Sequence, residues 1–100
     1  MHAVIRRYNA FDGKSGAVAQ KVHDEFLPLV SQVQGFIAYY LIDAGDGAMA
    51  SVGVFESKAG ADESTRLAAD WVRQHLTHVI KSAPVILAGE VAAQRAAALR

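Results

Sequence analysis

Apolar residues fall at Val18, Val22, Phe26, Leu29 and Val33, at intervals of four, four, three and four. That is the stripe of an amphipathic helix. Pro28 lies inside it. Proline has no N–H and its ring crowds the carbonyl four residues back, so this helix is expected to kink or loosen there. A second stripe, Leu67, Ala68, Val72, Leu76 and Val79, predicts a longer helix from near Ala61 to Ile80. The intervening and terminal segments read as strands. His2 to Asn9 carries the β-favouring Val4, Ile5 and Tyr8. Phe36 to Asp43 and Ala48 to Glu56 flank Gly45-Asp46-Gly47, and Asp-Gly between apolar runs is a hairpin signal. With Asp46-Gly47 as a two-residue loop, Gly45 pairs with Ala48, Tyr40 falls opposite Gly53, and Tyr39 opposite Val54. Phe11 to Ser15 is a loop with Asp12-Gly13 and a candidate N-cap at Ser15. Val85 to Val91, after Pro84, is the last strand. The alanine-rich segment from Ala92 to Arg100 extends as a helix or frays.

The order βαββαβ predicts an α+β, ferredoxin-like fold: a four-stranded antiparallel sheet with two helices on one face. Both faces of the central hairpin are apolar, with Phe36, Ala38, Tyr40 and Ile42 alternating with Ile37, Tyr39 and Leu41. Two helices cover only one face. Soluble monomers avoid a large exposed apolar patch, so a second copy packed sheet to sheet, a homodimer, is expected.

Composition narrows the class. One hundred residues, 52% hydrophobic, make one globular domain, expected over residues 1–92 with a tail at 93–100. Ten basic and ten acidic residues cancel, which gives no electrostatic footprint for nucleic acid and little protection against self-association. Without cysteine there is no disulfide framework and no thiolate nucleophile or metal ligand. No apolar run reaches the length of a signal peptide or a membrane span. A cytoplasmic protein that binds no membrane is expected.

Candidate chemistry centres on Trp71, the single tryptophan. At about 100° per residue, His75 lies roughly 40° from Trp71 around the helix and His78 roughly 20° to the other side. The three form a ridge beside the core stripe, where polar groups need a partner or a ligand. His75 is a candidate base or hydrogen-bond donor. A metal needs three or four ligands, and Glu63 and Asp70 are rotated away from the two histidines, so no metal site is expected. On the first strand Ile5, Arg7 and Asn9 share one face, and Val4, Arg6 and Tyr8 the other. Arg7 is a candidate for binding an anionic or phenolic group if the face of Asn9 is the one turned inward. Tyr39 and Tyr40 point to opposite faces, one to the cavity and one to the dimer interface. Ser51, Ser57 and Ser64 lack a nucleophile-elbow context, and no glycine-rich phosphate loop or other cofactor motif is present.

Gly35-Phe36 opening the second strand, Ala50-Ser51-Val52-Gly53-Val54-Phe55-Glu56 in the third, and Ala68-Ala69-Asp70-Trp71-Val72 in the second helix carry a further signal. Over about residues 2 to 92 the chain resembles the antibiotic-biosynthesis-monooxygenase-like family of the dimeric α/β-barrel superfamily. That family includes cofactor-independent oxygenases of aromatic polyketides and haem-degrading enzymes. The resemblance implies that Asn9 and Trp71 line a cavity between helices and sheet. It also implies an iron-ligating histidine in haem-degrading members, farther from the Trp than His75 and His78 are. The expected function is a cofactor-independent monooxygenase of a small aromatic or enolisable substrate, with His75 and Asn9 catalytic and Trp71, Tyr39, Tyr40, Arg7 and His78 binding. A non-catalytic binding or structural dimer and a haem-handling protein stay open as alternatives.

Overall fold

A computed structural model of the chain describes residues 1–9, 15–80 and 82–97. Four strands, β1 (His2–Tyr8), β2 (Phe36–Gly45), β3 (Ala48–Phe55) and β4 (Val85–Glu90), form one sheet in the order β2-β3-β1-β4. All three pairings are antiparallel. The first helical segment comprises α1 (Ser15–Lys21), a π-helical turn at Val22–Phe26 and α2 (Leu27–Val30), and the second is α3 (Lys58–His75). The βαββαβ order and the ferredoxin-like α+β architecture follow the sequence expectation. The Asp12-Gly13 loop lies outside the described residues. No helix among those described is long and apolar enough to cross a membrane.

The predicted kink is a π turn. Pro28 cannot donate to the carbonyl of Asp24, and just before it Leu27 donates instead to Val22, five residues back. A π turn holds more residues than an α turn. Apolar positions four apart therefore stay aligned, and the buried stripe runs Val18, Val22, Phe26 and Val30. Leu29, expected inside, is exposed.

α3 starts earlier than Ala61, because Ser57 caps it by accepting a hydrogen bond from Gly60 N (3.4 Å). It also ends earlier than Ile80. Leu76 leaves helical geometry, and its carbonyl accepts from Val79 (3.0 Å) and Ile80 (2.9 Å) in a tight turn. His78 is thus not on the helix. Residues 91–97 are neither helix nor strand.

The hairpin loop pairs Gly45 with Ala48 as expected, but a bulge between Asp43 and Gly45 shifts everything before it by one. Asp43 Oδ1 accepts from Gly45 N (3.0 Å) across the bulge. Tyr39, not Tyr40, therefore faces Gly53. A Cβ at Gly53 would sit 3.4 Å from the Tyr39 ring, so the glycine leaves that ring its place. A second irregularity between Phe36 and Ala38 turns Phe36 inward and leaves Ile37 exposed.

The core lies between the helices and the inner sheet face. Its centre is Phe55, Met49, Val30, Phe26, Ala68 and Trp71.

Candidate functional site: a polar floor under Trp71

Strand parity fixes what faces the helices. Val4, Arg6 and Tyr8 of β1 are buried, while Ile5, Arg7 and Asn9 are exposed. On β3 the inward set is Met49, Ser51, Gly53 and Phe55. On β2, Tyr39 and Leu41 pack against the core, whereas Tyr40 is 53% exposed on the outer face. Beneath the helices the sheet thus offers a floor with four polar side chains: Arg6, Tyr8, Tyr39 and Ser51.

The wall opposite is aromatic. The Phe26 ring lies 5.5 Å from Tyr39 and 5.5 Å from Trp71, tilted against both. Between floor and wall is a chamber of about 30 Å³, lined by Tyr8, Phe26, Tyr39, Ser51 and Trp71 among others. Tyr8, Val72 and Ile80 separate it from a cleft of about 240 Å³ between α3 and β4. Arg6, Tyr8 and Thr65 line that cleft on its inner side, with Arg73, Thr77 and Ser82 also on its walls.

Arg6 organises the floor. Its Nη1 donates to Thr65 Oγ1 (3.3 Å), its Nη2 to Tyr39 Oη (3.4 Å), and it also hydrogen-bonds the Tyr8 hydroxyl. Burial pushes the Tyr8 phenol above its ordinary value. The charge and hydrogen bond of Arg6 pull it down but do not prevail. Tyr8 is therefore protonated throughout the neutral range, a donor rather than a base.

The sequence candidates divide. Trp71, 6% exposed, and Tyr39 line the chamber. His75 stacks on Trp71 at 5.0 Å between ring centres, half-buried, with Nδ1 3.8 Å from Glu25 Oε1. It lines a different cleft of about 160 Å³, together with His78 and Lys21. Arg7 and Tyr40 emerge on the outer face and Asn9 is exposed just past β1, so these three, like both histidines, are not among the chamber residues. Alternation directs Arg7 outward once its neighbour Arg6 turns inward. Arg6, Tyr8 and Ser51 were missed. The grouping of Val4, Arg6 and Tyr8 on one face was the available signal. Among the described residues no three metal-ligating side chains converge.

No protein-family model matches the sequence, and no curated protein matches it. Solved structures do. A protein of unknown function from Nitrosomonas europaea, NE2512, superposes with a TM-score of 0.79 at 23% identity, over 97% of this chain and 94% of that one. The monooxygenase from the ActVA-Orf6 gene of Streptomyces coelicolor, in complex with nanaomycin D, gives 0.69 at 15% identity over 99% and 91%. A MhuD variant with two manganese protoporphyrin IX bound per active site gives 0.70 at 16% identity over 97% and 100%. The chain has the fold of the antibiotic-biosynthesis-monooxygenase-like proteins.

Proposed function

We propose that the chain is a cofactor-independent monooxygenase of a small aromatic or enolisable compound held against Trp71. The observation supporting this is the chamber itself, an aromatic wall of Phe26, Tyr39 and Trp71 over a floor of hydroxyls. An ionised phenol or enol carries its own reductant. Its carbanion passes electrons to dioxygen, a hydroperoxide forms at that carbon, and loss of water leaves a carbonyl. The protein has to exclude water and direct donors at the anion. Trp71 and Phe26 do the first, and the Tyr8 and Tyr39 hydroxyls the second. The substrate extends from the chamber into the α3–β4 cleft as Val72 and Ile80 turn aside. Haem does not fit these residues: about 30 Å³ is far below the roughly 300 Å³ at which sites for drug-sized ligands begin, and no histidine lines the chamber.

The small chamber favours a second reading, a non-catalytic dimer whose polar floor is closed core. An oxygen electrode separates the two. With hydroxyanthrones and related phenols, the first reading expects oxygen uptake above the uncatalysed rate, reduced at least about tenfold in Tyr39→Phe through loss of one oxyanion donor. Uptake equal to the protein-free rate across the panel removes it. In both readings the apolar outer sheet face is covered by a second copy.

A further inference from the structure

Among the described residues Arg6 is a buried cation without a counter-ion. It starts from the inner face of β1 and is 2% exposed. A guanidinium keeps its proton in a protein, so a full charge has been taken out of water. That is costly unless a carboxylate matches it. Among the described residues the ion pairs lie elsewhere, all on helices. Arg6 has instead three neutral hydroxyls, those of Thr65, Tyr39 and Tyr8. Its Nε is buried with no hydrogen-bond partner.

The residue paired with Arg6 across the β1–β3 ladder is Ser51. It is 1% exposed, and its Oγ also lacks a partner. Two orphaned polar groups are therefore cross-strand neighbours on the inner face, with Cα atoms about 5 Å apart. One is an N–H of a cation and the other a hydroxyl able to donate. What satisfies both at once, and supplies the missing charge, is an anionic oxygen.

We propose that Arg6 and Ser51 receive the anionic oxygen of a small planar organic acid, an aromatic carboxylate or an ionised phenol, whose body lies in the α3–β4 cleft. The sizes agree. Ser51 lines the chamber of about 30 Å³ and Arg6 the adjoining cleft, so the anionic oxygen sits at the wall the two spaces share, and the chamber side has room for roughly two water-sized atoms. The cleft of about 240 Å³ falls just under the range of drug-sized sites, which begins near 300 Å³. That favours acids of one or two rings over large polycyclic ones. Tyr8, which lines both spaces, stands where head and body join. This inference rests on the preceding reading only for the seat of the ring. It adds that Arg6 and Ser51 hold the substrate's anionic oxygen; where that oxygen is a phenolate, the substrate enters already ionised and no side chain has to remove the phenol proton.

The test is calorimetric titration of the full chain, with Trp71 emission as a second readout. The probes are 1-naphthoate, its neutral isostere 1-naphthamide, and 4-nitrophenol on either side of its own pKa. The carboxylate is expected to bind at least about tenfold more tightly than the amide, as charge-assisted hydrogen bonds warrant. The 4-nitrophenol arm reads whether a phenolate serves as well, by tighter binding above its pKa. Arg6→Met is expected to abolish the preference and to keep or raise the melting temperature, because it removes an uncompensated buried charge. Arg6→Lys restores part of the preference. Equal binding of naphthoate and naphthamide to the unmodified chain, or binding of neither, overturns the proposal; the orphaned atoms then hold water only. Arg6→Met that melts lower and keeps the preference overturns it too, making Arg6 structural. Charge preference without oxygen uptake removes the oxygenase reading and keeps this one. Oxygen uptake without charge preference does the reverse.

Discussion

At Tyr8 two opposed influences meet on one hydroxyl, and burial outweighs the neighbouring Arg6, holding the pKa above 10.0. The folded chain therefore keeps a proton that the unfolded chain releases. Stability is unaffected below the unfolded value and falls as pH rises from there through the folded one. The urea midpoint is expected to drop as pH rises above about 10, and the Tyr8→Phe chain to lose part of that slope. Tyr8 itself should titrate late in absorbance at alkaline pH. An identical slope in both chains would show that the phenol is not perturbed. The same residue marks how much of the site was legible. Alternation placed Val4, Arg6 and Tyr8 together, and the ridge geometry put Trp71 at the core border. Which face of β1 turns inward was not legible, because Val4 and Ile5 are equally apolar. A charged side chain is also ordinarily assigned to solvent, so the inward Arg6 contradicts the very rule that reads most strands correctly.

Elements were legible as long as one period held along them. The order of strands and helices followed from apolar spacing, and departures came where a local hydrogen bond changed the count. The Asp43–Gly45 contact inserts a bulge and shifts the partners of Tyr39 and Tyr40 by one residue, to Gly53 and Val52, while the π turn before Pro28 replaces Leu29 by Val30 in the core. Neither leaves a trace in hydrophobic periodicity. α3 gives the prediction at this scale. Gly60 lies in its first turn, where alanine would gain about 1 kcal/mol of helix propensity. An added Cβ, however, would lie 2.8 Å from the Gln34 carbonyl oxygen and 3.3 Å from Phe55 Cβ. The first of these is backbone and the second is fully buried, so neither yields cheaply. Overpacking of this kind costs roughly 1–3 kcal/mol. Gly60→Ala is therefore expected to destabilise by about 1 kcal/mol net, read as a lower urea midpoint at unchanged m-value. A raised midpoint would mean that the α2–β2 connection moves freely away from α3.

The whole molecule has one face that its own helices cannot cover. Across the outer side, Tyr40 pairs with Val52, Val52 with Ile5, and Ile5 with Leu87, an unbroken apolar row spanning all four strands. At about 4.8 Å per strand that row is roughly 15 Å long. Ile42 and Val85 widen it, and Leu87 is 69% exposed. On the two central strands Arg7 is the only charged residue facing outward. A closed two-fold assembly suits such a surface, because one patch serves both partners and leaves nothing sticky outside. The isolated chain should then sediment as a pair of 10.7 kDa subunits at micromolar concentration. Ile5 sits at the middle of the row, so Ile5→Lys places a charge there in both copies at once, and symmetry doubles the desolvation cost. The dimer Kd is expected to rise by at least about 100-fold, with far-ultraviolet circular dichroism unchanged because Ile5 lies outside the core. Ile5→Val, which keeps the surface apolar, should remain a dimer. A chain that is monomeric before any substitution would leave the row exposed to something other than a copy of itself, and would remove the sheet-to-sheet assembly from the account.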